Sequence, residues 1–178
     1  MTKIAIDSVG FCALYSKQGD WAFDLAFRIA ETRGIQLNVF HFLSDPYDPE
    51  DKVPDNLSKE EWEAMTIESE RNLRMYYDVR LRDYLKVGFR LCEDKEWTEL
   101  HRCLVKREFD VLILGVPSEN ATFAGKPIRE FADSFISPVV LVGPDDPDTL
   151  YLNPQAELIS DQLSLSDEAR RKLQAAHA

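Results

Sequence analysis

The chain has 178 residues, 44% of them hydrophobic, with 32 acidic against 21 basic residues and a formal net charge of -11. That length suits one domain with a real core, and nothing in the composition marks a fibrous or wholly disordered chain. An acidic surface repels phosphate backbones and anionic membranes, and no apolar run approaches a membrane span, so neither nucleic acid nor membrane is an expected partner.

Ile4-Ala5-Ile6 reads as a first strand ending at Asp7, with a loop from Ser8 to Gly19 behind it. A helix is predicted from about Asp20, its cap, to Arg33, with Trp21, Leu25, Ile29 and Ala30 on the buried stripe and Gly34 as the stop. Leu37 to Leu43 is the second strand, and the proline- and aspartate-rich stretch from Ser44 to Asn56 is a loop. Ser58 and Glu61 have capping-box spacing and open a long helix whose apolar face includes Trp62, Leu73, Tyr77 and Leu81. Its first half holds Glu60, Glu61, Glu63, Glu68 and Glu70, and its second holds Arg71, Arg74, Arg80, Arg82 and Lys86. That order complements the helix dipole and reads first as a solvated surface, with a docking face as the alternative.

Val87 to Cys92 is a third strand, and Asp94 caps a helix carrying Trp97, Leu100 and Leu104. Val111 to Leu114 is a fourth strand, apolar on every residue, as in parallel sheets covered on both faces. After a loop from Gly115 to Ala124, Pro127 suits the first turn of a helix with Ile128, Phe131, Ala132, Phe135 and Ile136. Val139 to Val142 is the fifth strand. Strands alternating with helices predict an α/β fold with an open parallel sheet layered on both faces. The composition shifts after Gly143, so residues 1–144 are expected to form the α/β domain and 145–178 an acidic linker with a short helical extension. In that extension, helices open at Asn153-Pro154 and Ser166, and Leu158, Leu163, Ala169 and Leu173 are available to pack on the body or a second subunit.

Cys12, Cys92 and Cys103 have neither disulfide-framework nor zinc spacing. With a start that runs straight into a strand pattern, they fit a reducing cytoplasm. Cys12, in the expected first loop, has no visible activating base and reads as an ordinary thiol. His41 lies within a strand among aromatics and reads as a core or edge residue; His101 and His177 lie elsewhere. No G-x-S-x-G, G-x-G-x-x-G or G-x-x-x-x-G-K-[ST] pattern is present, so a nucleophile elbow, a dinucleotide site and a P-loop are not expected. An enzyme, in particular a nucleotide hydrolase, is the least favoured reading.

In an open parallel sheet, ligands sit beyond the carboxyl ends of the strands. Here those ends are read as Asp7-Ser8, Phe42-Leu43, Cys92-Glu93, Gly115-Val116 and Gly143. Gly115-Val116-Pro117-Ser118 leaves the fourth strand and Gly125-Lys126-Pro127 opens the next helix, where backbone N–H groups and a lysine can meet an anion. For Lys126 an exposed, ligand-free lysine is an equal alternative, and for Asp7 a cap or loop carboxylate nearly so.

Asp7-Ser8, the run Leu37 to Phe42, the run Phe109 to Gly115 and Ser137-Pro138 with the strand behind it resemble the universal stress proteins, over roughly residues 3–143. The resemblance implies sheet order 3-2-1-4-5, a switch point between the first and fourth strands, a homodimer and, in one branch, ATP binding. That branch carries G-x-x-G, nine residues, then G-[ST]; here Gly115 keeps the first position, Ser118 replaces the second glycine, six residues separate Ser118 from Gly125, and Lys126 stands for the hydroxyl residue. The implied function is a stress-response or regulatory protein with a degenerate site for ATP, AMP or a smaller anion. Asp7, Ser8, Phe42, Gly115, Val116, Ser118, Gly125 and Lys126 are its expected ligand contacts. The alternative is a protein-interaction or dimerisation module that has lost nucleotide binding.

Overall fold

The computed structural model describes residues 5–48, 50, 56–93, 97 and 99–176. Ile4, the Asp94 cap, parts of the loop before Asn56, and His177 lie outside the described residues. The elements are β1 (Ser8–Cys12), α1 (Lys17–Arg33), β2 (Gln36–Phe42), α2 (Lys59–Leu81), β3 (Val87–Cys92), α3 (Glu99–Val105), β4 (Val111–Gly115), β5 (Thr122–Phe123), β6 (Lys126–Pro127), α4 (Ile128–Ser134), β7 (Val139–Val142), β8 (Leu150–Leu152), α5 (Pro154–Leu158) and α6 (Asp167–Ala176). The main sheet runs β3-β2-β1-β4-β7-β8, parallel throughout except for β8, which is antiparallel to β7. This is the expected α/β sheet with one strand added at its edge.

The first strand corrects the sequence reading. Ser8–Cys12 forms it, and Asp7 precedes it. Ser8 and Gly10 look like loop residues, but Gly10 is a packing position: an ideal Cβ there would lie 2.8 Å from the Phe109 ring. Val9 and Phe11 point to one face and Cys12 to the other, so β1 is wholly buried despite its small residues.

Period-2 alternation builds two cores. Val111 and Ile113 of β4 and Val140 and Val142 of β7 face α1, α2 and the C-terminal segment; Leu112, Leu114, Val139 and Leu141 face α3 and α4. A strand covered on both sides must be apolar at every residue, which is why β4 and β7 are. Each fully buried Leu, Ile, Val or Phe here contributes about 1.5–3 kcal/mol.

The helix ends follow local chemistry. Ser16, not Asp20, caps α1, its hydroxyl accepting from the Gly19 N–H, and Gly34 ends the helix at φ 65°. Asp20 instead accepts a hydrogen bond from the Tyr76 hydroxyl at 2.7 Å. On α2 both halves of the Ser58–Glu61 capping box form. The C-terminal segment is integral to the packing. Asn153 caps α5 and is buried, accepting from the Val139 and Ala156 N–H groups and donating to the Ala132 and Ser137 carbonyls. Leu163 and Ala169 join the core as expected, whereas Leu158 is exposed. Because β8 occupies the free side of β7, the fifth strand of the sequence reading is not an open edge inviting another chain.

Candidate functional site

The switch point lies where β1 sends its crossovers to opposite sides, toward β2 and toward β4. Cys12, Phe42, Gly115 and Val142 mark the carboxyl ends of β1, β2, β4 and β7. Of the expected contacts, the structure places Phe42, Gly115 and Val116 at these ends. It moves Asp7 and Ser8 to the opposite end of the sheet, because β1 begins rather than ends there. The Asp7 N–H donates to the Asp110 carboxylate at 2.7 Å, at the entrance to β4. The chain leaves β1 through Cys12-Ala13-Leu14, without a carboxylate. Cys12 is a buried strand residue rather than a loop thiol, and burial pushes its pKa well above the ordinary value.

Gly115 is a close-approach position of a structural kind. An ideal Cβ on it would lie 2.9 Å from the Gln18 carbonyl oxygen, so the first turn of α1 presses onto the end of β4. Gly19 completes the seat: a Cβ there would lie 1.8 Å from the Leu14 carbonyl oxygen. The Val116 N–H continues the ladder to the Val142 carbonyl.

The segment after β4 also differs from a phosphate loop. Ser118 is exposed, and its carbonyl accepts from the Ala121 N–H. Thr122–Phe123 and Lys126–Pro127 pair as a short antiparallel hairpin. Its two turn residues, Ala124 at φ 53° and Gly125 at φ 81°, both have the positive φ of a type I′ turn. Gly125 thus serves hairpin geometry. Lys126 belongs to β6 rather than opening α4, and borders a separate cavity of about 280 Å³ with Trp97, His101 and Ser134.

What fills the switch point is the segment after β2, and sequence reasoning missed it. The Tyr47 hydroxyl donates to the Gly115 carbonyl at 2.9 Å, and its ring packs edge-on against Phe123 with centroids 5.0 Å apart. Asp45 fixes the bend by accepting from the Tyr47 N–H at 2.9 Å. The Pro46 carbonyl accepts from the Ala124 N–H at 2.8 Å, pinning the segment to the hairpin. Burial, then the neighbouring Cys12 and Asp45, push the Tyr47 hydroxyl well above its ordinary pKa, so it stays a neutral donor. The available signal was one aromatic residue in an Asp- and Pro-rich loop.

The remaining space between β1 and β2 is about 220 Å³, lined by Tyr15, His41, Phe42 and Asp45 among others. That lies below the roughly 300–1,000 Å³ of ordinary small-molecule pockets. Burial lowers the His41 pKa, Asp45 opposing it, and the ring lies 6.1 Å from that of Tyr15.

A larger cleft of about 560 Å³ opens on the other flank of β4, between Val116, Thr122, Ile128, Arg129, Gly143 and Tyr151. The Arg129 guanidinium lies 4.5 Å over the Tyr151 ring, and the Tyr151 hydroxyl donates to Asp133 at 2.6 Å. No group of three or more metal-ligating side chains occurs among the described residues, and no described helix is long and apolar enough to cross a membrane.

No protein-family model matches the chain, and no curated protein does. Solved structures do. A universal stress protein family member from Burkholderia pseudomallei superposes with a TM-score of 0.53 at 18% identity, covering 78% of this chain and 96% of that one. A universal stress protein from Archaeoglobus fulgidus gives 0.53 at 15%, over 78% and 98% of the two chains. The universal stress protein UspA from Lactobacillus plantarum gives 0.51 at 15%, over 79% and 100%. At such identities the likeness is one of architecture: the chain has the fold of the universal stress proteins.

Proposed function

We propose that this chain is a universal-stress-protein-like regulatory protein of the reducing cytoplasm that acts through its surfaces, its nucleotide crevice closed by its own backbone and Tyr47. The observation that carries this is the Tyr47 hydroxyl on the Gly115 carbonyl, 2.9 Å across the switch point. Asp7 and Ser8 at the far end of the sheet and Gly125 and Lys126 in a hairpin support this reading over an open nucleotide crevice. Three buried free cysteines support the reducing compartment.

A second reading keeps a small anionic ligand but moves it. The roughly 560 Å³ cleft is of ligand size, and Arg129 is held at its wall by the Tyr151 ring. Calorimetric titration of ATP, AMP and inorganic phosphate separates the two. Absence of heat with all three supports the closed crevice. Binding lost in Arg129→Ala and kept in Tyr47→Phe supports the displaced site. ATP binding that Arg129→Ala leaves intact and Tyr47→Phe strengthens would overturn both, because it would place the nucleotide in the crevice itself.

A further inference from the structure

The cleft of about 560 Å³ beside β7 has an apolar floor and a charged mouth. The floor follows from the two-sided burial of the sheet. Leu141 of β7, Val116 just past β4 and Ile128 at the start of α4 are buried in one core layer, and all three line the cleft. Leu150 and Tyr151 of β8 form the wall on the side of the sheet edge. Three charged side chains border the mouth: Arg129 from α4, Glu119 from the turn before the hairpin and Asp145 from the connection between β7 and β8. All three are exposed.

These charges are not used up within the chain. Elsewhere the surface pairs its ions: Arg80 with Asp20, Arg90 with Glu99 and Glu108, and Lys172 with Asp146. Among the described residues, Arg129, Glu119 and Asp145 enter no ion pair, with one another or with any neighbour. The other acids close by are engaged. Asp133, one turn after Arg129, accepts from the Tyr151 hydroxyl, and Asp146 and Asp148 bond Lys172 and Ser166. The Arg129 guanidinium lies 4.5 Å over the Tyr151 ring. That contact holds the group through its face and leaves its edge N–H groups for a carboxylate.

A polyanion such as ATP meets two carboxylates at this mouth and a chain of net charge -11 behind it. A simple cation meets Arg129. A molecule with one carboxylate, one ammonium and an apolar body suits every wall. We propose that the cleft binds a small zwitterion with an apolar side chain, the chemistry of an aliphatic amino acid or a dipeptide of such residues. Its carboxylate lies on Arg129, its ammonium turns toward Asp145 and Glu119, and its side chain covers the floor of Val116, Ile128 and Leu141. Such a ligand brings no net charge to an acidic chain. The apolar contact supplies affinity, and the exposed charges at the rim supply selectivity. This ligand rests on the second reading's placement of a site in the cleft, and it is independent of whether Tyr47 closes the nucleotide crevice.

Nuclear magnetic resonance of the full chain, titrated with leucine and with leucyl-leucine, reads binding and place together. Saturable shifts are expected at the methyl groups of Ile128, Leu141 and Leu150, and the ligand that saturates first sets the preferred length. Removing the ammonium of that ligand by N-acetylation, or its carboxylate by amidation, should weaken it about fivefold, the scale of a charge contact at an exposed rim. The variants assign each end. Arg129→Gln should abolish the preference for the free carboxylate and keep that for the ammonium; Glu119→Gln combined with Asp145→Asn should do the reverse. All three side chains are exposed, so the variants should keep the wild-type amide spectrum away from the cleft. Capped ligands that bind as well as the free zwitterion would overturn the proposal, as would variants that leave both preferences intact. Inorganic phosphate or AMP shifting these methyl groups, where leucine and leucyl-leucine do not, would keep a ligand site in the cleft and remove the zwitterion from it. Silence from all four probes would remove both.

Discussion

The end of β4 has two flanks, and the chain treats them in opposite ways. Toward β1, Gly115 and Gly19 bring α1 onto the strand end, and Tyr47 fills what is left. Toward β7 the space stays open, walled by Arg129 and Tyr151. The strands themselves do not decide this, since β1, β4 and β7 are all short, buried and parallel. The connections decide it. The segment behind β2 folds inward over the sheet, while the segment behind β7 turns back as β8 and builds a wall. A topological switch point is thus an opportunity for a crevice, which a helix seated on glycines and a loop aromatic can together fill.

The filled flank can be broken most severely at its floor. Gly19→Ala places a Cβ against the Leu14 carbonyl, where neither backbone can give way. The expected loss is on the order of 4 kcal/mol in urea unfolding. Gly125→Ala is the contrast: it meets open space and suffers only its positive φ, a cost of about 1 kcal/mol. Equal losses at the two positions would contradict the view that the glycines at the strand end serve packing.

On the open flank the comparable lever is Asn153, whose side chain ties the start of β7 to the cap of α5 and the end of α4. Asn153→Ala removes a cap and leaves buried backbone groups unpaired, for an expected loss of about 3 kcal/mol. If β8 and α5 were a loose appendage, the same substitution would leave the unfolding midpoint unmoved. Next in size is Tyr47. Tyr47→Ala should cost about 2 kcal/mol for a half-buried ring, and Tyr47→Phe about 1 kcal/mol for the hydroxyl alone. Hydrogen exchange localises the effect, since the Ala124 amide bonded to Pro46 should lose protection in Tyr47→Ala. An unchanged Ala124 amide would mean that the segment stays seated without its tyrosine.

These flanks also mark where sequence reasoning succeeded and stopped. The fully apolar runs of β4 and β7, the capping box at Ser58 and the stop at Gly34 are local signals, and each element sits where its signal put it. The first strand was displaced because Ser8 and Gly10 carry turn chemistry, and the reason for Gly10 is a ring from Phe109, far away in sequence. That displacement carried Asp7 with it and misplaced one side of the site. The short hairpin was unreadable for a related cause: Gly125 beside Lys126 has the composition of a phosphate loop, and only the pairing of Thr122 with Pro127 gives it another role. β8 contributes three residues, too few for a periodic pattern, and depends on an edge created by the rest of the sheet.

The smallest expected effect sharpens the comparison through pH. His41 borders the residual space on the filled flank together with Asp45, whose carboxylate, in the segment that fills it, acts on the imidazole. Burial lowers the imidazole from its ordinary 6.5, while the Asp45 carboxylate pulls it back. In the window between the folded value and 6.5 the unfolded chain binds the extra proton and the folded chain does not. Stability is therefore complete above that window and declines as pH falls through it. Other groups titrate in acid as well, so the useful quantity is the difference between wild type and His41→Gln. Urea midpoints measured at about pH 7.5 and about pH 5.5, either side of the ordinary histidine value, should fall further in wild type than in the variant. The gap should widen in Asp45→Asn, where burial acts on His41 unopposed. Parallel declines in all three proteins would show that water reaches His41 freely, and that the segment holding Tyr47 does not close this flank in solution.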